Sequence, residues 1–330
     1  MPLSNDALYG LRPMTDAINN LPTSPTIIRE LGIFKADYRT TTYVEVVAKN
    51  GELKLVEAVP RGTPGMPVKE NYGDSHVFNM LHLPKNDVVR ADDVQNVRAF
   101  GTENTALTVA EKVNDKLAMM KSDIEYTREH LMLGALMGKL LDADGQRVLV
   151  DIYQRFGLTR ESFDIKLSSD TTKVGAVLDG IKSKQSRKRK GEAVKGWIVL
   201  ASPEFMQGVV YHKSIVDIYS RYQEAKVYRD GDTNASFSHL DIDFVQYDYE
   251  FPNGVQIPAD QAIILPKGTG TTFREFFAPA DMNATVNTKA LPYYAGREKL
   301  PHDKGWSLHA QSNPLPLVLR PELVATLTMS

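Results

Sequence analysis

The chain has 330 residues, 42% of them hydrophobic, and a formal net charge of −2 with a pI near 6.4. This length is typical of about two domains, and the balanced charge argues against a protein that binds nucleic acid over its whole surface. The sequence contains no cysteine, which excludes disulfides, thiolate zinc sites and a cysteine nucleophile. No run of about 18 apolar residues is present, and residues 1–30 lack the basic start and apolar core of a signal peptide.

Residues 1–35 are predicted to form an arm. Pro13, Pro22 and Pro25 interrupt any long helix, and apolar residues are dense only at Ile27–Leu31. Such a segment would gain little by packing on its own chain. We therefore expect the arm to lie across a neighbouring subunit.

Residues 40–85 are predicted to form a long two-stranded excursion. Tyr43–Val47 alternates between apolar and polar residues, Asn50-Gly51 supplies a tight turn, and Leu53–Val56 returns. His76–Leu83 is again extended. Because an isolated hairpin is marginally stable in water, this excursion needs a partner surface.

The strongest local pattern predicts a helix from about Thr105 to Leu141. Its apolar residues recur at alternating steps of four and three, which places them on one narrow stripe, and Gly145 is expected to end the helix. We expect a single helix laid on a sheet, with a coiled coil as the alternative. The stripe consists of Ala106, Ala110, Val113, Leu117, Met120, Ile124, Thr127 and Leu131, and the charged residues placed off it are Lys112, Asp115, Lys116, Lys121, Asp123, Arg128 and Glu129.

Residues 147–268 alternate between predicted strands and helices, and the tail from about Thr272 is again predicted to be β-structure. A turn is expected at Asn253-Gly254. The predicted strands are Val148–Tyr153, Phe163–Leu167, Trp197–Ala201, Leu240–Val245 and Ala262–Leu265; the predicted helices are Thr171–Ser183, one beginning at Ser202-Pro203, and one near Ser214–Tyr222.

A basic run extends from Lys182 to Lys195. Its most concentrated part could make an electrostatic contact with DNA or with an acidic scaffold by releasing counterions. A solvated loop between a helix and a strand would need no partner, and both interpretations stay open. The residues of that part are Arg187, Lys188, Arg189 and Lys190.

No catalytic, cofactor or metal site is predicted. His76 and His82 lack a third ligand, and the sequence contains neither HExxH nor GxSxG. Asp241 and Asp243 would share one face of a strand, where we expect them to be solvated. Lys267–Thr272 lacks the spacing of a phosphate loop and is interpreted as a glycine-softened link between two sheets.

The order of these parts resembles the major capsid protein family of lambda-like tailed phages, the E-protein family, which has the Hong Kong 97-type fold. Several short segments carry the resemblance. They are Phe34–Thr42, Ile198–Phe205, Ile257–Leu265, Thr272–Arg274, Ala278–Asp281, Ala295–Lys299, His302–Trp306 and Ser312–Leu317.

The resemblance implies an α+β fold in five parts. Residues 1–35 correspond to the N-terminal arm, and residues 36–100 to the extended-loop region with its β-hairpin. Residues 101–169 correspond to the peripheral domain with its long spine helix, residues 170–268 to the axial α/β domain, and residues 269–330 to returning strands of the peripheral domain.

The implied function is a major capsid protein that self-assembles into pentamers and hexamers of an icosahedral shell around double-stranded DNA. The implied location is the virion, with assembly in the cytoplasm of the bacterial host. The implied partners are other copies of the chain, a portal protein, packaged DNA contacted non-specifically, and in some shells a decoration protein. A separate scaffolding protein is expected because the sequence starts almost at the arm.

Pentamers and hexamers of one sequence require tolerant joints. The glycines predicted to supply them are Gly62, Gly65 and Gly73 in the excursion and Gly268 and Gly270 in the link. Lys54 and Lys69 also lie in the excursion, but the sequence gives no reason to assign either of them to a covalent cross-link between subunits.

Three alternatives remain open from the sequence. An encapsulin-like cellular compartment would share the fold but enclose a cargo enzyme. A hydrolase could use unrecognised chemistry in residues 170–268, and a DNA-binding module could use Lys182–Lys195.

Overall fold

The computed structural model describes residues 10–23, 26–47, 75–95, 108–189, 191–221 and 237–330. The chain divides into two compact units. The first draws on the described residues of Met1–Val44, Val77–Met132 and Glu275–Pro316, and the second on those of Glu45–His76, Leu133–Arg274 and Leu317–Ser330.

Helices and strands both contribute to the described chain, as an α+β fold requires. The helices are α1 Leu11–Asn20, α2 Ile27–Glu30, α3 Val109–Met137, α4 Ile152–Arg155, α5 Val174–Arg187, α6 Pro203–Val210 and α7 Lys213–Arg221. The strands are β1 Lys35–Tyr38, β2 Tyr43–Val47, β3 Ser75–Asn79, β4 Leu83–Arg90, β5 Lys139–Leu141, β6 Val148–Asp151, β7 Glu161–Asp164, β8 Gly196–Ala201, β9 Phe237–His239, β10 Ile242–Gln246, β11 Gln261–Lys267, β12 Phe273–Phe277, β13 Tyr294–Lys299, β14 Gly305–Ser312, β15 Pro314–Val318 and β16 Ala325–Thr328.

The strands form five sheets among the described residues. A six-stranded sheet has the order β7-β16-β11-β8-β10-β9, and two three-stranded sheets have the orders β13-β14-β4 and β1-β12-β15. Two strand pairs, β2-β3 and β5-β6, complete the set.

The core of the first unit forms where α3 packs on the sheet β13-β14-β4. Four residues of the predicted stripe, from Val113 to Ile124, are buried in this core. They pack with Val89 of β4, Ala295 of β13 and Leu308 of β14. The arrangement is a single helix laid on a sheet. Ala106, the first residue of the stripe, lies outside the described residues, Ala110 is exposed, and Thr127 is only half-buried.

Helix α3 ends at Met137, earlier than predicted. Gly138 follows it with a φ of +95°, and the chain then enters β5. The apolar run continues through Leu140 and Leu141, so hydrophobic pattern alone could not detect the reversal. The predicted terminator, Gly145, has a φ of +71° and lies in the turn between β5 and β6.

The prediction that residues 1–35 gain little from their own chain is wrong for helices α1 and α2. Met14 and Ile18 of α1 are buried in the core of the first unit, and Ile28 of α2 is fully buried. Pro13 lies in the first turn of α1, where a proline is tolerated because its missing N–H has no helical partner there. It therefore does not break this helix.

The core of the second unit forms between the six-stranded sheet and helices α5, α6 and α7. Strand β8 lies inside the sheet, parallel to β10 and antiparallel to β11, and Trp197–Ala201 is buried as predicted. Helix α6 begins where predicted, because Ser202 Oγ accepts the N–H of Phe205 at 3.2 Å and Pro203 occupies the first turn.

Other predictions for the second unit require correction. The strand predicted at Val148–Tyr153 stops at Asp151, whose side chain caps α4 by accepting the N–H of Gln154 at 2.9 Å. Leu240 and Asp241 have φ values of +54° and +59° in a turn between β9 and β10. Asp241 and Asp243 therefore do not share a strand face.

Candidate functional site

The link between β11 and β12 contains two of the predicted joint residues. Gly268 has a φ of +72°, and a Cβ atom there would lie 2.9 Å from side-chain carbons of Lys195. Gly270 has no such constraint, since a Cβ atom added there would have Glu192 Oε1 as its nearest neighbour, at 3.7 Å. The other three predicted joint residues, Gly62, Gly65 and Gly73, lie outside the described residues.

Glu192 holds this link by three hydrogen bonds. Its Oε1 accepts the backbone N–H groups of Gly270 at 2.7 Å and Thr271 at 3.0 Å, and its Oε2 accepts the Thr271 hydroxyl at 2.7 Å. Burial raises the pKa of Glu192, but these hydrogen bonds and the charge of Arg320 outweigh it, so the pKa lies below its ordinary value. We predicted that glycine makes this link flexible. The hydrogen bonds to the Glu192 carboxylate instead favour one conformation of the link.

The predicted electrostatic contact lies at the end of α5, and part of it is helical. Arg187 is exposed in the last turn, Lys188 pairs with Glu161 at 2.5 Å, and Arg189 is exposed. Lys190 lies outside the described residues. The basic run is therefore not wholly a loop, because α5 continues four residues past the predicted end at Ser183.

Arg320 fixes the backbone of this basic turn. Its guanidinium donates to the carbonyl of Lys188 at 2.9 Å and to the carbonyl of Arg189, and it lies 3.9 Å from Glu192. Helix carbonyls without a helical partner are stabilised by such donors. The structure thus brings the basic turn, Glu192 and the β11–β12 link together within the second unit.

A buried ionic cluster in the first unit was not predicted from the sequence. Lys121, Arg128 and Glu129 of α3, which the sequence places off the apolar stripe, are nevertheless buried. Arg128 forms a two-pronged ion pair with Glu275 of β12, with Nε–Oε1 and Nη2–Oε2 distances of 2.8 and 2.7 Å. Such a pair satisfies both charges in a site from which water is excluded.

The cluster also holds the N-terminal helices. Arg29 pairs with Glu125 at 2.9 Å, and Glu129 Oε1 accepts the backbone N–H of Ile28 at 2.9 Å. Tyr293 connects the two ion pairs, since its hydroxyl accepts from Arg128 and donates to Glu125 Oε1 at 2.9 Å. Four segments separated in the sequence, which contribute Ile28 and Arg29, residues 125–129, Glu275 and Tyr293, are therefore joined by one network.

The network shifts the pKa values of its members. Burial alone would lower the pKa of Arg128, but the Glu275 carboxylate outweighs it and the pKa lies above its ordinary value. Burial raises the pKa of Tyr293 to about 12; Arg128 opposes this shift and Glu125 adds to it. Arg128 is thus charged and Tyr293 protonated near neutral pH.

One sequence pattern could have indicated this cluster. Lys121, Glu125 and Glu129 recur at steps of four, with Arg128 beside them, so they form a charged stripe that flanks the apolar one. Glu275 stands within the aromatic sequence Phe273–Phe277, where an isolated carboxylate needs a buried partner. Neither pattern alone says which residues pair.

A cavity of about 260 Å³ adjoins the cluster within the first unit. Its walls include Asn19, Arg29, Tyr38, Lys121, Arg128 and Phe277. The rings of Tyr38 and Phe277 stack there, with centroids 5.3 Å apart.

The ends of the predicted excursion form a two-stranded ribbon, β2 with β3. Tyr43 of β2 and Val77 of β3 are 48% and 51% exposed. The predicted partner of β2, Leu53–Val56, and its turn at Asn50-Gly51 lie outside the described residues. The ribbon therefore presents apolar surface that its described surroundings do not cover.

Potential ligand-binding histidines are dispersed. The His76 ring makes an edge contact with Phe156 at 5.2 Å, and His82 Nδ1 lies 2.8 Å from Asn313 Oδ1. Among the residues that the structure describes, no three His, Cys, Asp or Glu side chains are grouped as metal ligands would be. Within the same residues, no helix combines the length and apolarity needed to cross a membrane.

A family model described as phage major capsid protein E matches residues 10–329. The chain is also 24% identical over 331 residues to the major capsid protein of Pseudomonas phage KPP10, a match that covers 94% of each chain. It is 22% identical over 355 residues to the major capsid protein of Salmonella phage Felix O1, covering 97% of this chain and 96% of that one.

A solved structure extends these similarities to the fold. The mature capsid of bacteriophage PhiM1 matches with a TM-score of 0.53 at 10% identity, covering 94% of this chain and 89% of that one. The fold is accordingly the capsid fold of the Hong Kong 97 type that the sequence predicts.

Proposed function

The chain belongs to the phage major capsid protein E family, and we propose that it forms the icosahedral head of a tailed phage by assembling as pentamers and hexamers. The observation that carries this proposal is the family match over residues 10–329. The shell would enclose double-stranded DNA. The function is structural, and no catalytic step is proposed.

The ribbon β2-β3 supports assembly through an extended loop. Two strands rarely form a stable structure alone in water, and Tyr43 and Val77 remain largely exposed. A neighbouring subunit that covered this surface would stabilise both chains. Residues 36–100 would then act as a clamp between subunits, and the contact area per chain should exceed the roughly 1,600 Å² of an ordinary complex.

The remaining parts take the roles that the family implies. Residues 101–169 and 269–330 would build the peripheral domain, and residues 170–268 the axial domain at the capsomer centre. Residues 1–35 would include the arm. Since α1 and α2 pack on their own chain, any crossing to a neighbour would fall to other residues of this segment or require release of the two helices.

The proposed partners are further copies of the chain, a portal protein, a scaffolding protein and packaged DNA. A decoration protein is a further candidate. Assembly would take place in the cytoplasm of the bacterial host. Arg187 and Arg189 are the exposed members of the basic turn, and they are proposed to contact either DNA or an acidic scaffold.

Electron microscopy of the purified protein tests the proposal. The chain would be expressed alone and then together with its scaffolding and portal neighbours. Closed shells or tubes built from fivefold and sixfold capsomers are expected. A monomer under every condition would count against the proposal, and shells filled with a cargo enzyme instead of DNA would favour the cellular compartment.

The clamp has its own test, a deletion of residues 60–75. Without the loop, subunits should assemble less completely, or their shells should dissociate at a lower temperature. Deletion shells as abundant and as stable as the wild type would show that this loop is not a clamp.

A further inference from the structure

Strand β4 lies at one edge of the sheet β13-β14-β4 in the first unit. Among the described residues it pairs on one side only, with β14. It has eight residues, which is longer than an ordinary strand. The free side of such a strand offers unpaired N–H and C=O groups to any other extended chain, so native proteins protect their edges.

The register of β4 shows which of its residues turn their backbone groups to the free side. Beyond its two ends, the Leu81 N–H donates to the carbonyl of Pro314 and the Ala91 N–H to the carbonyl of Lys304, each at 3.3 Å. Hydrogen-bonded pairs recur at every second residue of an antiparallel ladder, so the odd-numbered residues of β4 bond to β14. The residues that face the free side are Pro84, Asn86, Val88 and Arg90.

Two charged side chains cover the backbone of Val88 on the free side. The Val88 N–H donates to Asp87 Oδ1 at 2.7 Å, and the Val88 carbonyl accepts from Lys116 Nζ at 2.6 Å. Lys116 belongs to α3 and also donates to Asp87 Oδ1 at 2.8 Å, a hydrogen bond that lowers the pKa of the Asp87 carboxyl. Asp87 is therefore ionised at neutral pH, and the pair occupies the position where a new strand would bond.

The neighbouring positions add to this protection. Pro84 has no N–H to donate, and the Arg90 N–H is engaged by Asp93 Oδ2 at 2.8 Å. Prolines and lysines are among the residues that natural sheets place on edges to prevent pairing. Only at Asn86 would an added strand find both backbone groups unengaged by these contacts. A single such residue is too little to hold a strand, since even a complete hairpin is marginal in water.

We propose that Asp87 and Lys116 protect the free edge of β4 against pairing with the same edge of a second copy of the chain. Two identical strands can pair antiparallel about a twofold axis, because each then offers the other the same groups. Every copy carries this edge, so concentrated subunits are exposed to such pairing. The protection acts in the isolated subunit and does not depend on the proposed shell.

The test uses the double variant Asp87→Ala/Lys116→Met, which frees both backbone groups of Val88. The matched control is Lys85→Met/Asp123→Ala. It removes an ion pair of 2.8 Å between the same strand and the same helix. Among the described residues, that pair makes no side-chain hydrogen bond to the backbone of β4, so its loss leaves the edge as it was.

Cross-linking of unassembled subunits measures the pairing itself. The chain contains no cysteine, so Asn86→Cys, introduced into every variant, places a unique thiol on the edge. A short bifunctional thiol reagent should then join two copies of the double variant. The yield should be roughly tenfold above that of Asn86→Cys alone, because each freed backbone group can gain a hydrogen bond. The control variant should give the same yield as Asn86→Cys alone.

Equal yields from the double variant and the control would overturn the proposal. A high yield from Asn86→Cys alone would overturn it too, because the edge would then pair despite the two charges. Lys116→Met alone frees only the Val88 carbonyl and should give an intermediate yield, whereas Lys116→Arg keeps the cation and should leave the yield unchanged. These two single variants decide the question if the double variant fails to fold: a yield from Lys116→Met no higher than from Lys116→Arg would count against the protection.

Discussion

Arg128 and Glu275 form a two-pronged ion pair whose side chains are 6% and 5% exposed. The two residues are 147 positions apart in the sequence, and they join α3 to β12. Both charges are removed from water, so each depends on the other for compensation, and Arg128 also donates to the Tyr293 hydroxyl. The pair therefore makes the first unit sensitive to loss of either partner.

Replacing Glu275 with Gln should destabilise the first unit by about 3–5 kcal/mol, because the Arg128 charge would remain buried without its partner. Denaturant unfolding of unassembled subunits measures this free energy. The matched control is Asp123→Asn, which removes the exposed ion pair with Lys85; the Lys85 and Asp123 side chains are 48% and 59% exposed. That change should cost less than about 1 kcal/mol. Similar costs for the two variants would contradict the assigned role of the buried pair.

Alkaline pH should destabilise the fold through Tyr293. Its folded pKa of about 12 lies above its ordinary value of 10.0. The contribution to stability is therefore complete below pH 10 and is lost as the pH rises towards 12, by roughly 2–3 kcal/mol in total. Tyr293→Phe should flatten this part of the stability profile, whereas the control Tyr211→Phe, which changes an exposed tyrosine, should leave it unchanged. An unchanged slope in Tyr293→Phe would refute the prediction.

Acid should destabilise the fold through Glu192. Its folded pKa lies below the ordinary value of 4.5, so its contribution is complete above that value and is lost as the pH falls through the folded pKa. Glu192→Gln should be less stable at neutral pH and less sensitive to acid than the wild type. Glu298→Gln, which changes an exposed carboxylate of β13, serves as the control. The prediction fails if both variants keep the wild-type acid profile.

The two glycines of the β11–β12 link should respond differently to alanine. Gly268→Ala should cost about 1–2 kcal/mol, because its positive φ disfavours a side chain and the new Cβ would crowd Lys195. Gly270→Ala would bring the new Cβ only to an ordinary van der Waals distance, 3.7 Å from Glu192 Oε1, and should cost less. Unfolding of subunits and the fraction assembled into shells are both measured. If Gly268 serves as a joint, its variant should reduce assembly more than Gly270→Ala; equal effects would argue against that role.

Local patterns predicted many of the elements because their causes are local. The strand Trp197–Ala201 and the helix at Ser202-Pro203 follow from an apolar run and an N-cap, which involve neighbouring residues only. Several of the errors occurred where the chain reverses direction. Gly138, Leu240 and Asp241 turn the chain within apolar or alternating stretches, where periodicity continues across the turn.

The sequence by itself determined the class of the protein, its capsid family and the apolar stripe of α3, because composition, motif order and periodicity are properties of the chain alone. Only the tertiary structure decided which charges are buried. Arg29 meets Glu125 across 96 positions, and Arg128 meets Glu275 across 147. A charged residue has the same local pattern whether it faces water or a distant partner, and the fold alone brings that partner within 3 Å.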